Sequence, residues 1–214
     1  AQLDLHDNYD HRHLSHLYPV WPGLEISPEQ TPLLFNAAKM ALDKRGLGAG
    51  SSHGLVHAAL IAARLKDADY VYNKLLYLFK ENYIFSSLAT KNFNGNMFML
   101  DMGNTLPNII QEMILYSRPG VVELLPAVST QLNQGQINGL LTRTNATVNK
   151  VNWTYDKQLI NAVITSHHGQ TINFIVRKNI KNVYINNKEI AFNKHYFDYK
   201  FTENETIKIR VTLE

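Results

Sequence analysis

Three of the chain's nine histidines fall within the stretch Asp10-His11-Arg12-His13-Leu14-Ser15-His16-Leu17-Tyr18-Pro19-Val20-Trp21-Pro22-Gly23. Imidazoles are good zinc ligands, so a metal site on His11, His13 and His16 is one reading. A helix would share a face between His13 and His16, and a strand between His11 and His13. No regular conformation presents all three together. No His-Glu-x-x-His pattern accompanies them either. A second reading buries and hydrogen-bonds some of these rings to lock a loop that feeds a helix. A third makes the stretch a polar pocket wall. Arg12 and His13 would donate to hydroxyls while Tyr18 or Trp21 offers an apolar face, the combination that sugars and other polyols require.

A second stretch, Asn92-Phe93-Asn94-Gly95-Asn96-Met97-Phe98-Met99-Leu100-Asp101-Met102-Gly103-Asn104-Thr105, sets one acid between apolar residues just ahead of a helix. Asp101 is either a helix cap held by backbone N–H groups or a carboxylate that takes a proton or orients water in a cleft. Glu112 reads as a partnered helix acid. Glu123 falls in an expected linker, Val121-Val122-Glu123-Leu124-Leu125-Pro126. Sugar hydrolysis needs two groups flanking one bond, and these acids do not assemble that pair. Nucleotide-binding glycine loops and the Gly-x-Ser-x-Gly elbow are absent from the sequence.

The elements that would position these residues change rhythm midway. Thr31-Pro32 predicts a helix start, with Leu33, Leu34, Ala37, Ala38, Ala41 and Leu42 recurring at helical steps until Gly46. A second helix follows Gly46-Leu47-Gly48-Ala49-Gly50, with Ser51 or Ser52 as cap and small residues for close packing. A third is expected over roughly Asp69 to Asn82 and a fourth from about Thr105 to Ser117. Beyond Pro119-Gly120 the period becomes two. Thr147–Trp153, Leu159–Thr165, Thr171–Arg177 and Thr206–Val211 read as strands, with turns at Tyr155-Asp156-Lys157, His168-Gly169 and Asn186-Asn187. An αα-hairpin array followed by an antiparallel sandwich or small barrel fits, with the boundary between Arg118 and Ala127. Trp153 and Tyr155 are candidates for a sugar platform, although for Trp153 a core position is the better reading.

Composition narrows the function classes. Hydrophobic residues are 45% of the 214, which excludes a disordered chain. Charged residues are only 18% and the net charge of +3 is scattered, so nothing points to nucleic acid. Cysteine is absent, which removes disulfides and thiolate chemistry. No apolar run is long enough to span a membrane. The chain opens Ala1-Gln2-Leu3-Asp4 without an initiator Met or signal peptide, as expected for a processed protein or a fragment.

His11-Arg12-His13-Leu14-Ser15-His16-Leu17-Tyr18-Pro19, Gly50-Ser51-Ser52, the Asp101-x-Gly-Asn segment and the Glu-Leu-Leu-Pro-Ala core of Val121 to Ala127 follow one order. In that order the chain resembles the C-terminal part of glycoside hydrolase family 95, the α-L-fucosidases, some of which act on α-L-galactosides. The resemblance implies a multidomain α and β fold. Residues 1–120 would be the C-terminal helices of an (α/α)6 catalytic barrel, and residues 121–214 an antiparallel β-sandwich domain. It implies inversion at the anomeric carbon, with a Glu as general acid and Asn side chains positioning the water with help from an Asp. Asp101 falls on that Asp, and Arg12 and His13 fall on sugar-contacting positions. The Glu and the Asn residues lie earlier in family members and have no counterpart here, so this chain alone is expected to hydrolyse nothing. The substrate would be a fucosylated or galactosylated oligosaccharide, without cofactor, metal, nucleic acid or membrane. The missing N-terminal part of the same enzyme would be the partner. The resemblance further implies a bacterial enzyme that is exported, periplasmic or secreted. Two segments depart from the family pattern: Leu100-Asp101-Met102-Gly103-Asn104-Thr105 stands for Ile-Asp-Gly-Asn-Phe-Gly, and Gly50-Ser51-Ser52 for Gly-Trp-Ser. A non-catalytic carbohydrate-binding or structural module is the alternative reading.

Overall fold

The computed structural model describes residues 8–46, 50–85, 87–93 and 97–214. Residues 47–49 of the glycine-rich stretch and 94–96 of the Asp101 stretch, including Gly95, lie outside the described residues. The chain divides into two compact units, Ala1–Glu112 and Met113–Glu214. The division comes a few residues ahead of the expected 120/121 boundary.

In the first unit, α1 spans Pro32–Asp43 with Thr31 at its cap and Pro32 opening the first turn, where a missing N–H costs nothing. Its buried stripe is Phe35, Ala38 and Leu42, while Leu33 is 84% exposed and Leu34 and Met40 also face outward. The helical period therefore picked the element but not its inner face. α2, Ser52–Arg64, is buried on almost every side. Its run of alanines lets α1 and α3 (Ala68–Lys80) approach closely. Asp67 caps α3 by accepting from the Tyr70 backbone N–H at 3.0 Å.

A two-stranded ribbon of β1 (Lys91–Asn92) and β2 (Met97–Phe98) leads into α4, Leu100–Ile114. α4 begins five residues ahead of the predicted start at Thr105, which places Pro107 inside the helix and Asp101 in its first turn. Glycine at position 103 lets this first turn lie against Thr90, whose hydroxyl a Cβ would meet at 3.4 Å. Arg64 of α2 grips Glu112 through two buried hydrogen bonds of 2.6 and 2.8 Å, so Glu112 is the partnered helix acid its position predicted.

The second unit holds two sheets. One has six strands in the order β10-β9-β12-β7-β6-β5, built from β5 (Gln134–Leu141), β6 (Ala146–Thr154), β7 (Leu159–Ser166), β9 (Ile180–Ile185), β10 (Lys188–Glu189) and β12 (Thr206–Leu213). The other has four, β11-β8-β4-β3, from β3 (Leu115–Arg118), β4 (Val121–Leu124), β8 (Gln170–Val176) and β11 (Tyr196–Phe201). Alternation puts Ile207, Ile209, Val211 and Leu213 of β12 on the buried face, as the period of two requires. Phe174 stacks on Phe197 at 5.2 Å within the core. Asn186 and Asn187 both take positive φ and turn β9 into β10.

One expectation is corrected here. The expected linker Val121–Leu124 is strand β4, and it pairs in parallel with β8. The pairing is parallel because the chain passes through β5, β6 and β7 of the other sheet before returning, the long crossover that parallel strands need. Glu123 is consequently 1% exposed and bonded to Arg177 rather than a linker acid. Of the two platform candidates, Trp153 takes the core position that the sequence favoured for it, and Tyr155 is half-buried. Trp153 is 5% exposed and donates to the Leu132 carbonyl at 2.8 Å, while Lys178 lies over the Tyr155 ring. A Cβ on Gly135 would sit 2.3 Å from the Trp153 ring, so the opposite strand must carry glycine there.

Candidate active site

The histidine loop is shaped by a spacing of three. Leu14, Leu17 and Val20 are buried, and the chain between them winds into a short 3-10 turn at Ser15–Leu17. Three residues per turn stack those apolar side chains inward and leave Arg12, His13, Ser15, His16 and Tyr18 facing out. The expectation that some of His11, His13 and His16 are buried is not met, because all three are exposed. The apolar anchors carry the packing, and on the exposed side the His11 ring accepts from the His13 backbone N–H at 3.1 Å.

Arg45, just past the end of α1, holds the loop from behind. Its guanidinium donates to the backbone carbonyls of Asn8 at 3.0 Å, His11 at 2.5 Å and His13 at 3.1 Å. A planar fork with fixed donors can satisfy three carbonyls that face no other secondary structure. Nothing in the sequence marked Arg45 for this task, since the link spans more than thirty residues.

Two more residues missed by sequence reasoning complete the site. His53 and His57 lie one turn apart on α2 and so share a face. With the loop they form a ladder of rings. His11 and His13 are 5.0 Å apart between centroids, His13 and His53 5.6 Å, His53 and His57 5.8 Å, and His57 meets Trp21 at 5.4 Å. The i, i+4 spacing of His53 and His57 was the available signal, but only the fold puts it beside His13.

Asn92 fixes the start of α2 that carries His53. Ser51 at the cap position makes no side-chain cap bond. The buried Asn92 Oδ1 accepts instead from the Ser52 backbone N–H at 3.0 Å and the Ser52 hydroxyl at 3.1 Å. Tyr83 donates its hydroxyl to the Gly50 carbonyl at 2.7 Å, steadying the same end. Asn92 belongs to β1, which leads through β2 to α4, so one amide ties the His53 turn to the strand ahead of Asp101.

The electrostatics favour neutral rings. Arg12 Nε donates to His13 Nε2 at 3.3 Å, which makes that nitrogen an acceptor and leaves the proton on Nδ1. Desolvation, then the charges of Arg12, His11 and His53, lower the His13 pKa below the ordinary histidine value. His57 is lowered chiefly by burial, against a raising influence from the Trp21 backbone; neither buried ring nitrogen meets that carbonyl, or any other group, in hydrogen-bond geometry. His16 is lowered by burial and by Arg45. It lines a separate cleft of about 440 Å³ with Tyr9, Met40, Lys44 and Arg45. The zinc reading is corrected by this divergence. Among the described residues no group of three or more His, Asp or Glu side chains is arranged to hold a metal ion.

Asp101 is exposed in the first turn of α4, and its backbone carbonyl accepts from the Thr105 hydroxyl at 2.6 Å. Arg12 and His13 stand side by side on the loop; among the described residues no hydrogen bond joins Asp101 to either. The pair offers a guanidinium and an imidazole N–H, and Tyr18 further along the same loop is 58% exposed. Such a pair can donate to several hydroxyls.

Two family models match the chain. The glycosyl hydrolase family 95 catalytic domain matches residues 3–114, and the glycoside hydrolase family 95 C-terminal domain matches residues 116–210. A curated relative, alpha-L-fucosidase 2 of Arabidopsis thaliana, is 29% identical over 67% of this chain. The match spans 18% of that relative's length. Among solved structures, Ara127N-Se, a GH127 beta-L-arabinofuranosidase from Geobacillus stearothermophilus T6, matches 77% of this chain and 31% of its own at 10% identity and a TM-score of 0.37. A second glycoside hydrolase matches 77% of this chain and 32% of its own at 10% identity and a TM-score of 0.36. Likenesses this low carry no argument.

Proposed function

The chain belongs to glycoside hydrolase family 95, and from that premise we propose that it supplies the closing part of an inverting exo-glycosidase that releases terminal α-L-fucose or α-L-galactose from oligosaccharides. In this reading the helices of the first unit complete an (α/α)6 barrel, and the two sheets of the second unit form a β-sandwich domain. Residues 1–120 and 121–214 are the corresponding division of labour. The general acid Glu and the water-positioning Asn side chains come from the N-terminal part of the same enzyme, which is the partner this chain requires. Export to the periplasm or the medium, where complex glycans are met, belongs to the same proposal.

The observation that carries the reading is the Arg12–His13 pair. An exposed guanidinium bonded to a neutral imidazole presents several N–H donors to hydroxyls without surrounding them with charge. Arg12 and His13 bind the sugar, and Asp101 orients an amide that holds the attacking water. An ionised carboxylate beside an amide polarises it toward that water.

The test uses an aryl α-L-fucoside. The 214-residue chain should release no phenol, whereas the longer enzyme carrying the Glu should release it and give the inverted β-anomer, read by proton NMR at early times. Turnover by the chain alone would overturn the shared-site reading. Retention of configuration by the longer enzyme would overturn the mechanism.

A further inference from the structure

The outer face of the six-stranded sheet has an order that the glycosidase reading does not use. Cross-strand partners share a face, so the register defines a row running across five strands: Tyr184, Arg210, Asn161, Asn152 and Gln136. Arg210 and Gln136 are exposed and the others half-buried, while on β6, β7, β9 and β12 the neighbours along the strand are buried. At about 4.8 Å between strands the row is roughly 19 Å long.

Its side chains are held in place. Asn161 donates its amide to Asn152 Oδ1 at 3.0 Å, which fixes the orientation of the Asn152 amide. The Arg210 guanidinium lies 4.6 Å over the Tyr184 ring. Stacking fixes its fork at little entropic cost and covers the one aromatic of the row. One row on, Lys208 and Lys150 both pair with Val163. Beyond them Asn149 donates to the Thr165 hydroxyl at 2.7 Å, and Thr165 shares a hydrogen bond with Thr206 at 2.7 Å.

On this face cations outnumber acids: Lys150, Lys208 and Arg210 stand against Glu189 of β10, the cross-strand partner of Tyr184. The strands β5, β6, β7, β9 and β12 contain no Asp or Glu. Acids of adjoining elements are engaged: Glu189 accepts from Asn182, Asp156 from Asn133, and Glu205 from Tyr199. A chain with 18 acids against 21 Lys and Arg therefore keeps every acid off these five strands while Lys150, Lys208 and Arg210 stand together.

We propose that this sheet face is a binding surface for an anionic polysaccharide chain, one bearing carboxylate or sulfate groups on a hydroxyl-rich backbone. The amide and hydroxyl rows match sugar hydroxyls, and the three cations match anionic substituents spaced along the chain. A single-stranded nucleic acid would need open aromatic faces for its bases, and the row's aromatic is already covered by Arg210. The surface goes beyond the glycosidase reading and stands without it, since it uses none of Arg12, His13 or Asp101.

The test is affinity electrophoresis and calorimetric titration of the 214-residue chain with polygalacturonate, a sulfated fucan and a neutral galactan. DNA of matched charge and anionic phospholipid vesicles serve as further probes. The carboxylate and sulfate polymers separate the two sources of negative charge. Binding of at least one acidic polysaccharide is expected, falling as salt rises and weakening at least tenfold in R210E and in K208E. Lys200→Ala, at an exposed cation on the four-stranded sheet, should leave it unchanged. Arg210→Gln, which removes charge without adding an acid to the sheet, should weaken it too, with circular dichroism confirming the fold. The proposal is overturned if neither acidic polysaccharide binds, if the neutral galactan binds as well as they do, if DNA or vesicles bind more tightly, or if the Arg210 and Lys208 variants bind as the parent does.

Discussion

Arg45 Nη2 donates to the backbone carbonyl of His13 at 3.1 Å, so a residue at the end of one helix fixes the loop that carries Arg12 and His13. The same guanidinium holds Asn8 and His11, and no other side chain joins three points of this loop among the hydrogen bonds described. Loop geometry, rather than composition, is what makes Arg12 and His13 a pair.

Arg45→Ala should loosen this loop. Hydrogen bonds to a charged donor contribute about 1.5–3 kcal/mol each, and the freed carbonyls regain water, so a net loss of about 1–3 kcal/mol is expected. Denaturant unfolding reads the loss. Hydrogen exchange should show it concentrated at residues 11–17, and uniform exchange across the unit would refute the assignment.

Stability of the chain should fall on acidification. His13, His16 and His57 titrate below the ordinary value of 6.5 in the folded state. Between the lowered folded values and 6.5 the unfolded chain binds more protons than the folded one, so stability rises with pH across that window. It is at its fullest above 6.5 and is lost as pH falls through the folded values. Denaturation midpoints from pH 8 to pH 5 should trace this slope, and His57→Leu should flatten it. A parent midpoint that does not move with pH would rule it out.

Asn92→Ala should remove the acceptor that caps α2. It leaves the Ser52 backbone N–H and hydroxyl without that acceptor in a buried place, at a cost of about 1–3 kcal/mol. Thermal unfolding checks the magnitude. Asn92→Asp, which keeps the acceptor oxygen, should retain more stability than the alanine variant.

In the complete enzyme, Asp101→Asn should lower the turnover rate by roughly 10²-fold or more, in the manner of a lost general base. KM should change little, because the proposed mechanism has Asp101 act on the water rather than on sugar binding. Near-normal turnover with preserved folding would take Asp101 out of the mechanism.

Much of the fold was legible in the chain. Thr31-Pro32 marked the start of α1, and the alternation of residues 206–211 marked β12, because caps and periods are local. Asp101 was misread as a residue ahead of its helix, since Pro107 looked like a first-turn proline. Val121–Leu124 was misread as a linker because its parallel partner, β8, lies fifty residues away. Trp153 was legible as a core residue, and the structure adds that it packs on Gly135 while Lys178 covers the half-buried Tyr155.

The sequence by itself determined the family pattern, the two rhythms of the chain and the identity of Arg12, His13 and Asp101 as the residues to weigh. These follow from spacing along the chain, which covalent order sets. Tertiary structure alone decided that Arg45 holds the histidine loop, that His53 and His57 extend it into a ladder, and that Asn92 caps α2. It also decided that one sheet face gathers amides and three cations in neighbouring rows. Each of those joins groups far apart in sequence. Their proximity depends on which faces bury and how strands register, and no local pattern encodes either.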